Sequence, residues 1–298
     1  MQLPFVLQPL MVAAIVSNRR RGLGQSMAKS VMAGVAGALA LAALAGSASA
    51  ADLPVKAPPV MAAPTWTGVY AGVSVGARWA DNDWRTSDVA PSFAGGTFVP
   101  TAGTGGPINS VAARIGGYLG INWQFAPTWV AGLEGDFGWA DNKKTVSPLP
   151  GTAGLFFGTP MVGLPSGSVK DSWDGSIRAR LGYLVAPDTL VYGSGGVAWQ
   201  RVELNANCAV VPGNTFCFGN PHNETFGSTR IGWTAGGGIE HMIGGHWIVR
   251  ADYRYADFGT WTQPFFTVGG VGVGFDDRFT AHVTTRTHTA TMGLAYRF

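Results

Sequence analysis

The connections between strand-like segments in this chain alternate in length, and that alternation limits the available folds more than any other feature. From Trp66 onward, eight runs of period-two residues recur, at 66–80, 110–123, 129–140, 172–183, 190–200, 229–242, 247–255 and 282–298. Tight turns (Q-F-A-P-T, A-P-D-T, I-G-G-H) alternate with long Gly/Pro/Ser-rich stretches near 81–109, 141–171, 201–228 and 256–281. An even number of strands, with turns at one end and long loops at the other, is the plan of an up-and-down barrel.

The last run shows what surrounds such a barrel. Phe298, Tyr296, Leu294, Met292 and Ala290 share one face, and Arg297, Ala295, Gly293, Thr291 and Thr289 share the other. A period of two with such unlike faces places the strand between two different media. Other runs repeat the pattern: Val69, Val73, Val75 and Trp79 oppose Gly72, Ser74, Gly76 and Arg78, while Trp129, Leu133 and Phe137 oppose Glu134 and Asp136. Glycines at 193, 195 and 196 blur the faces of the fifth run. A soluble eight-stranded barrel turns its apolar face inward and its charges outward. Here the polar faces are glycine with a few charges, and charged residues make up only 12% of the chain, about half the usual share.

Beyond position 50 no run of strongly apolar residues is long enough for a helical span. Runs of about ten residues suit a tilted strand crossing of the hydrocarbon layer. Aromatic residues gather at strand ends, including Trp66, Trp79, Trp123, Trp129, Trp139, Trp173, Tyr183, Trp247 and Tyr255, as interfacial belts require. The expected fold class is all-β: an eight-stranded antiparallel up-and-down transmembrane β-barrel with short periplasmic turns and long extracellular loops.

The segments before the barrel read as export signals. Met27–Ala50 has Lys29 at its start, an apolar middle and the small-residue ending Ala48-Ser49-Ala50, the pattern of a cleaved secretory signal. Met1–Ser26 lies upstream of it and reads either as an extension before a true start at Met27 or as a lengthened n-region. Residues 51–65 carry four prolines and form a linker, leaving 66–298 for the barrel. Removing residues 1–50 deletes four basic and no acidic residues, so the charge falls from +3 to −1, with 16 Lys and Arg against 17 Asp and Glu. The mature chain therefore has no basic excess that would point to nucleic acid.

Charges on the inward faces recur at Arg114, Glu134, Asp136, Arg178, Arg180, Glu240, Arg250, Asp252 and Arg254. In a narrow lumen such groups must be paired or wet, and an interlocking salt-bridge network is expected rather than an acid–base pair. An eight-stranded barrel is just wide enough for its own side chains. The histidines (222, 241, 246, 282 and 288) show no metal spacing, although a loop histidine such as His222 is where haem or a metal would bind. No Ser/His/Asp set or acidic cluster stands at the loop-side strand ends, so no enzyme activity and no cofactor are expected. Cys208 and Cys217, the only cysteines of an exported chain, read as one disulfide.

Several blocks carry a resemblance. They are W-T-G-V-Y-A-G-V-S-V-G near the mature start, I-R-A-R-L-G-Y-L-V-A-P-D-T-L-V-Y-G-S-G-G-V-A-W (177–199), G-W-T-A-G-G-G-I-E (232–240), W-I-V-R-A-D-Y-R-Y-A-D-F-G (247–259) and the terminal G-L-A-Y-R-F. Together they resemble the porin-family outer-membrane β-barrel proteins, and more narrowly the outer-membrane immunogenic proteins with an OmpA-like eight-stranded barrel. The resemblance spans the mature chain and departs from the family in the long loops near 80–108 and 141–171. It implies a structural or surface role in the outer membrane of a Gram-negative bacterium, contributing to envelope integrity. Its implied partners are outer-membrane lipid, lipopolysaccharide, and the assembly machinery that reads the final strand through Tyr296 and Phe298. A small diffusion porin, or a barrel whose loops bind haem or a host factor, is the alternative. The sequence sets no oligomeric state.

Overall fold

The computed structural model describes residues 65–88, 105–151, 165–208, 221–267 and 278–298. The leader, the signal peptide, nearly all of the linker and the four loop tips fall outside these segments. The elements are β1 (Gly68–Ser87), β2 (Gly105–Pro107), β3 (Ser110–Ala126), β4 (Trp129–Val146), β5 (Ser166–Ala186), β6 (Thr189–Cys208), β7 (His222–Ile243), β8 (Trp247–Phe265) and β9 (Phe279–Arg297). Eight long strands pair antiparallel in chain order, and β9 returns to pair with β1 from Tyr70↔Arg297 to Ser87↔Thr280. The eight-stranded barrel is closed. The three-residue β2 is an addition to the outer end of β1.

Closure follows from the solvent. In hydrocarbon an unpaired backbone N–H or C=O costs several kcal/mol, so strands can cross only as a ring without edges. The outward residues match that solvent: Val73, Val75, Ile115, Leu119, Leu133, Phe137, Ile177, Ile231, Met292 and Leu294 are exposed, while their polar neighbours are buried inside. An aromatic belt marks the turn end, where Trp129 meets Tyr183 at 5.3 Å between ring centroids and Trp247 meets Tyr296 at 5.2 Å. The β7–β8 turn uses Gly244 and Gly245 at φ of 60° and 81°, a backbone shape that other L residues resist.

Two features differ from the expectation. Strands run 17 to 22 residues where about ten would span the membrane, so all but β3 continue well past the loop-side belt. There, among the described residues, the ring divides. The β7–β8 ladder begins only at Trp233↔Asp257, so the outer half of β7 pairs with β6 alone. On the other side β3 starts at Ser110, and the outer half of β4 pairs with β5 alone. Two half-sheets result, β4–β5–β6–β7 and β8–β9–β1–β2. Water can solvate their open edges, as lipid could not. Register irregularities at Trp139/Asn142 and Asp171/Asp174 fall where the closed ring gives way to the half-sheets.

The second difference is Trp66. Expected in the belt, it is instead fully buried under the turn end of the barrel. Its indole N–H donates to the Pro187 carbonyl at 3.1 Å, and its backbone N–H donates to Gln124 Oε1 at 3.0 Å. A buried indole needs such a partner. The fifth run also resolves: Leu190, Tyr192 and Ala198 point inward, and Val191 and Val197 point outward.

Candidate functional site in the barrel lumen

The lumen is filled at three levels. At the turn end, Trp66, Val130, Leu184, Leu190, Met242, Ile248 and the rings of Tyr70 and Tyr118 form an apolar floor. Beyond the outer belt, between the half-sheets, lies a second apolar core of Trp84, Ile108, Leu149, Val169, Val202, Leu204, Phe265, Phe266, Phe279 and Val283. Between the two sits a layer of charge.

That layer has two centres. In the first, Glu134 on β4 accepts hydrogen bonds from Arg178 Nη2 at 2.7 Å, Arg250 Nη1 at 2.5 Å, Arg180 Nη1 at 3.2 Å and the Tyr70 hydroxyl at 2.7 Å. Arg180 also meets Glu240 at 2.7 Å. Arg178 reaches Asp252 at 3.3 Å, and the Tyr192 hydroxyl donates to that carboxylate at 2.7 Å. The guanidiniums lie over rings as well, Arg250 at 3.6 Å from the Tyr118 centroid and Arg180 at 4.0 Å from that of Tyr192. Such cation–π contacts add to the ion pairs when both partners are dry.

In the second centre, Asp136 and Asp174 share arginines. Arg114 Nη2 donates to both at 2.8 Å. Arg254 donates to Asp136 at 2.8 Å and to Asp174 at 2.5 Å. Ser176 also donates to Asp136. Arg78 closes the upper side. Its Nη1 donates to Asp174 at 2.8 Å, and its Nη2 donates to the carbonyls of Ala140, Asp171 and Ser172. Arg178, 4.0 Å from Asp136, links the two centres.

All nine lumen residues named from the sequence thus lie in one connected cluster. Arg78 and Asp174 belong to it and were not among the nine. Their even numbers put them on the inward faces of β1 and β5, so parity alone was the available signal. Asp171 was not foreseen for a different reason: the irregularity at Ser172–Trp173 turns an odd-numbered residue inward. It is fully buried and accepts from Asn82 Nδ2 at 3.1 Å. With Asp171 included, six arginines stand among six carboxylates, so the formal charges of the layer balance. Neutrality matters because a lone charge in such a place costs several kcal/mol.

The glycines of the polar faces make room for these large groups. A Cβ at Gly138 would strike the Arg114 guanidinium, and one at Gly120 would strike the Tyr70 hydroxyl.

The remaining predicted positions lie elsewhere. His222 opens β7 and stacks on Phe266 at 4.6 Å. Among the described residues no three His, Cys, Asp or Glu are grouped as metal ligands. Cys208 is buried at the end of β6, and Cys217 lies outside the described residues. Tyr296 and Phe298 meet edge to face, ring centroids 5.3 Å apart, on the outer surface of the turn end.

Comparison with known proteins agrees with this architecture. A family model described as the outer membrane protein beta-barrel domain matches residues 37–298. The 31 kDa outer-membrane immunogenic protein of Brucella melitensis is 29% identical over 268 residues, covering 85% of this chain and 94% of that protein. The 25 kDa outer-membrane immunogenic protein of Brucella abortus is 30% identical over 226 residues, covering 74% of this chain and 81% of that protein. Among solved structures, the outer membrane protein OprG of Pseudomonas aeruginosa aligns with a TM-score of 0.42 and 14% identity, over 78% of this chain and 96% of that one.

Proposed function

This chain belongs to the outer membrane protein β-barrel domain family, and from that membership we propose that it is a sealed surface barrel of the Gram-negative outer membrane, neither a pore nor an enzyme. The carrying observation is the neutral charged layer held between two apolar cores. Ions would have to cross all three levels, and breaking any one exposes either unpaired charge or apolar surface. The carboxylates of the two centres are each engaged by an arginine, which leaves no acid–base pair free for catalysis. The reading invokes no cofactor.

The loops and the outer half-sheets then carry the surface role, in keeping with relatives named as immunogenic proteins. The Cys208–Cys217 disulfide is part of this proposal, as are envelope integrity, recognition of Tyr296 and Phe298 by the assembly machinery, and contact with lipopolysaccharide. Conductance in a planar bilayer tests the central claim. The refolded mature chain is expected to show no steady openings. Sustained nanosiemens-scale openings would establish a diffusion pore instead.

A further inference from the structure

Outside the lumen, the charges just beyond the outer belt are unevenly settled. On the β8–β9–β1 side two arginines have their own acids: Arg286 lies 3.0 Å from Asp257, and Arg85 lies 3.1 Å from Asp83. The β4–β5 side is different. Lys143 and Lys170 are directly opposed partners in the ladder. Both alternate with buried neighbours, Asn142 and Asp171, and so project outward. Like charges in directly opposed positions repel. No carboxylate among the described residues forms an ion pair with either lysine. Glu203, opposite Lys170 on β6, lies 3.8 Å from Arg201, and Asp141 sits one outward position nearer the membrane than Lys143.

Edge protection accounts for part of this arrangement. The outer half of β4 is an open edge, and lysines blunt such edges. That explains Lys143 and Lys144. It does not explain Lys170, which is flanked by β4 on one side and β6 on the other. The height of the pair supplies the rest of the argument. Lys143 follows the belt residue Trp139 by four positions, which at about 3.3 Å per residue and a tilt of about 40° is roughly 10 Å beyond the belt. Flexible lysine stems can reach several Å back toward it. This is headgroup territory.

We propose that Lys143 and Lys170 together hold a phosphate group of the outer-leaflet glycolipid. One phosphate between the two ammoniums accepts hydrogen bonds from both and offsets the repulsion of the directly opposed Lys143–Lys170 pair. The inference rests on the reading of the chain as an outer-membrane barrel with its long-loop end outward.

The test uses the refolded mature chain in detergent, titrated with diphosphoryl lipid A and with the same lipid after phosphate removal. Binding is read by native mass spectrometry, and folding by heat-modifiable migration. The wild type is expected to prefer the phosphorylated lipid by about 25-fold, and Lys143→Thr or Lys170→Thr to reduce that preference about fivefold each. The double variant should lose it, and Lys144→Thr should keep it. Threonine suits an exposed strand position, so these variants should fold. Equal binding of both lipids by the wild type would overturn the proposal, as would an unchanged preference in the double variant. Full competition by inorganic phosphate would also overturn it, since that describes a free-ion site. Conductance on the same preparation is independent: an open pore with the phosphate preference intact would overturn the sealed lumen while supporting the lysine site.

Discussion

Glu134→Gln should be among the most damaging conservative substitutions in this barrel. The change keeps volume and removes one negative charge where three guanidiniums converge. Their remaining partners are unequal. Arg180 keeps Glu240 at 2.7 Å, and Arg178 keeps Asp252 at 3.3 Å and Asp136 at 4.0 Å. Among the described residues Arg250 keeps a single carboxylate, Glu240 at 3.8 Å, besides the Tyr118 ring. The glutamine amide would also turn a donor toward donors. The layer goes from neutral to +1, with the excess concentrated on Arg250, and a broken buried pair of this kind costs about 3–5 kcal/mol. Removing the excess charge should recover part of the loss. The double variant Glu134→Gln/Arg250→Met is therefore expected to be non-additive by about 1–3 kcal/mol. Urea unfolding in lipid vesicles, followed by tryptophan fluorescence, measures these two variants and the single Arg250→Met that completes the cycle, and bilayer conductance reports loosening of the layer. A loss below about 1 kcal/mol for the single variant, together with strict additivity in the double, would refute the neutral-layer argument.

Three further outcomes can be checked, two of them on described residues and one on the cysteine pair read from the sequence. Deleting Phe298 removes one ring of the edge-to-face Tyr296–Phe298 pair and should lower outer-membrane abundance, with degraded periplasmic protein in its place; normal levels on fractionated blots would count against the assembly role. Protein taken directly from the outer membrane should show no alkylatable thiol by mass spectrometry, and Cys208→Ser/Cys217→Ser should lose at most about 2–3 kcal/mol, the loop-entropy limit for so short a bridge. Gly138→Val should be destabilised by about 1–3 kcal/mol, because its side chain collides with the Arg114 guanidinium; an unchanged urea midpoint would mean that Arg114 has another place to go.

How much of this was legible in the sequence depends on which side of the outer belt a residue lies. Below it, the alternation in β1 of Val73, Val75 and Trp79 against Ser74 and Arg78 reads directly as lipid against lumen. Above it the same strand continues in the same parity with the polarity exchanged. Trp84 now points inward, and Asp83 and Arg85 point outward. Strand β6 does likewise, with Val202 and Leu204 inside and Arg201 and Glu203 outside. A reader expecting apolar residues outside sees the pattern dissolve at the belt and assigns a loop. The strands had not ended; the solvent had changed. Trp66 was misplaced for a related reason, since a tryptophan next to a strand end serves equally well as belt or as floor. Pairing partners were beyond reach, because parity says which face a charge occupies and not which charge it meets.

The divided ring above the belt separates two kinds of constraint along each strand. Below the division a substitution must satisfy hydrocarbon on one side and a neutral lumen on the other, with every neighbouring strand held in register. Above it each half-sheet answers to water, to the headgroups at its base and to the apolar core that it shares with the other half-sheet. Strand length, edge composition and loop content there can drift without reaching the part of the molecule that inserts. One chain thus carries a tightly constrained anchor and a loosely constrained display, joined by unbroken backbone.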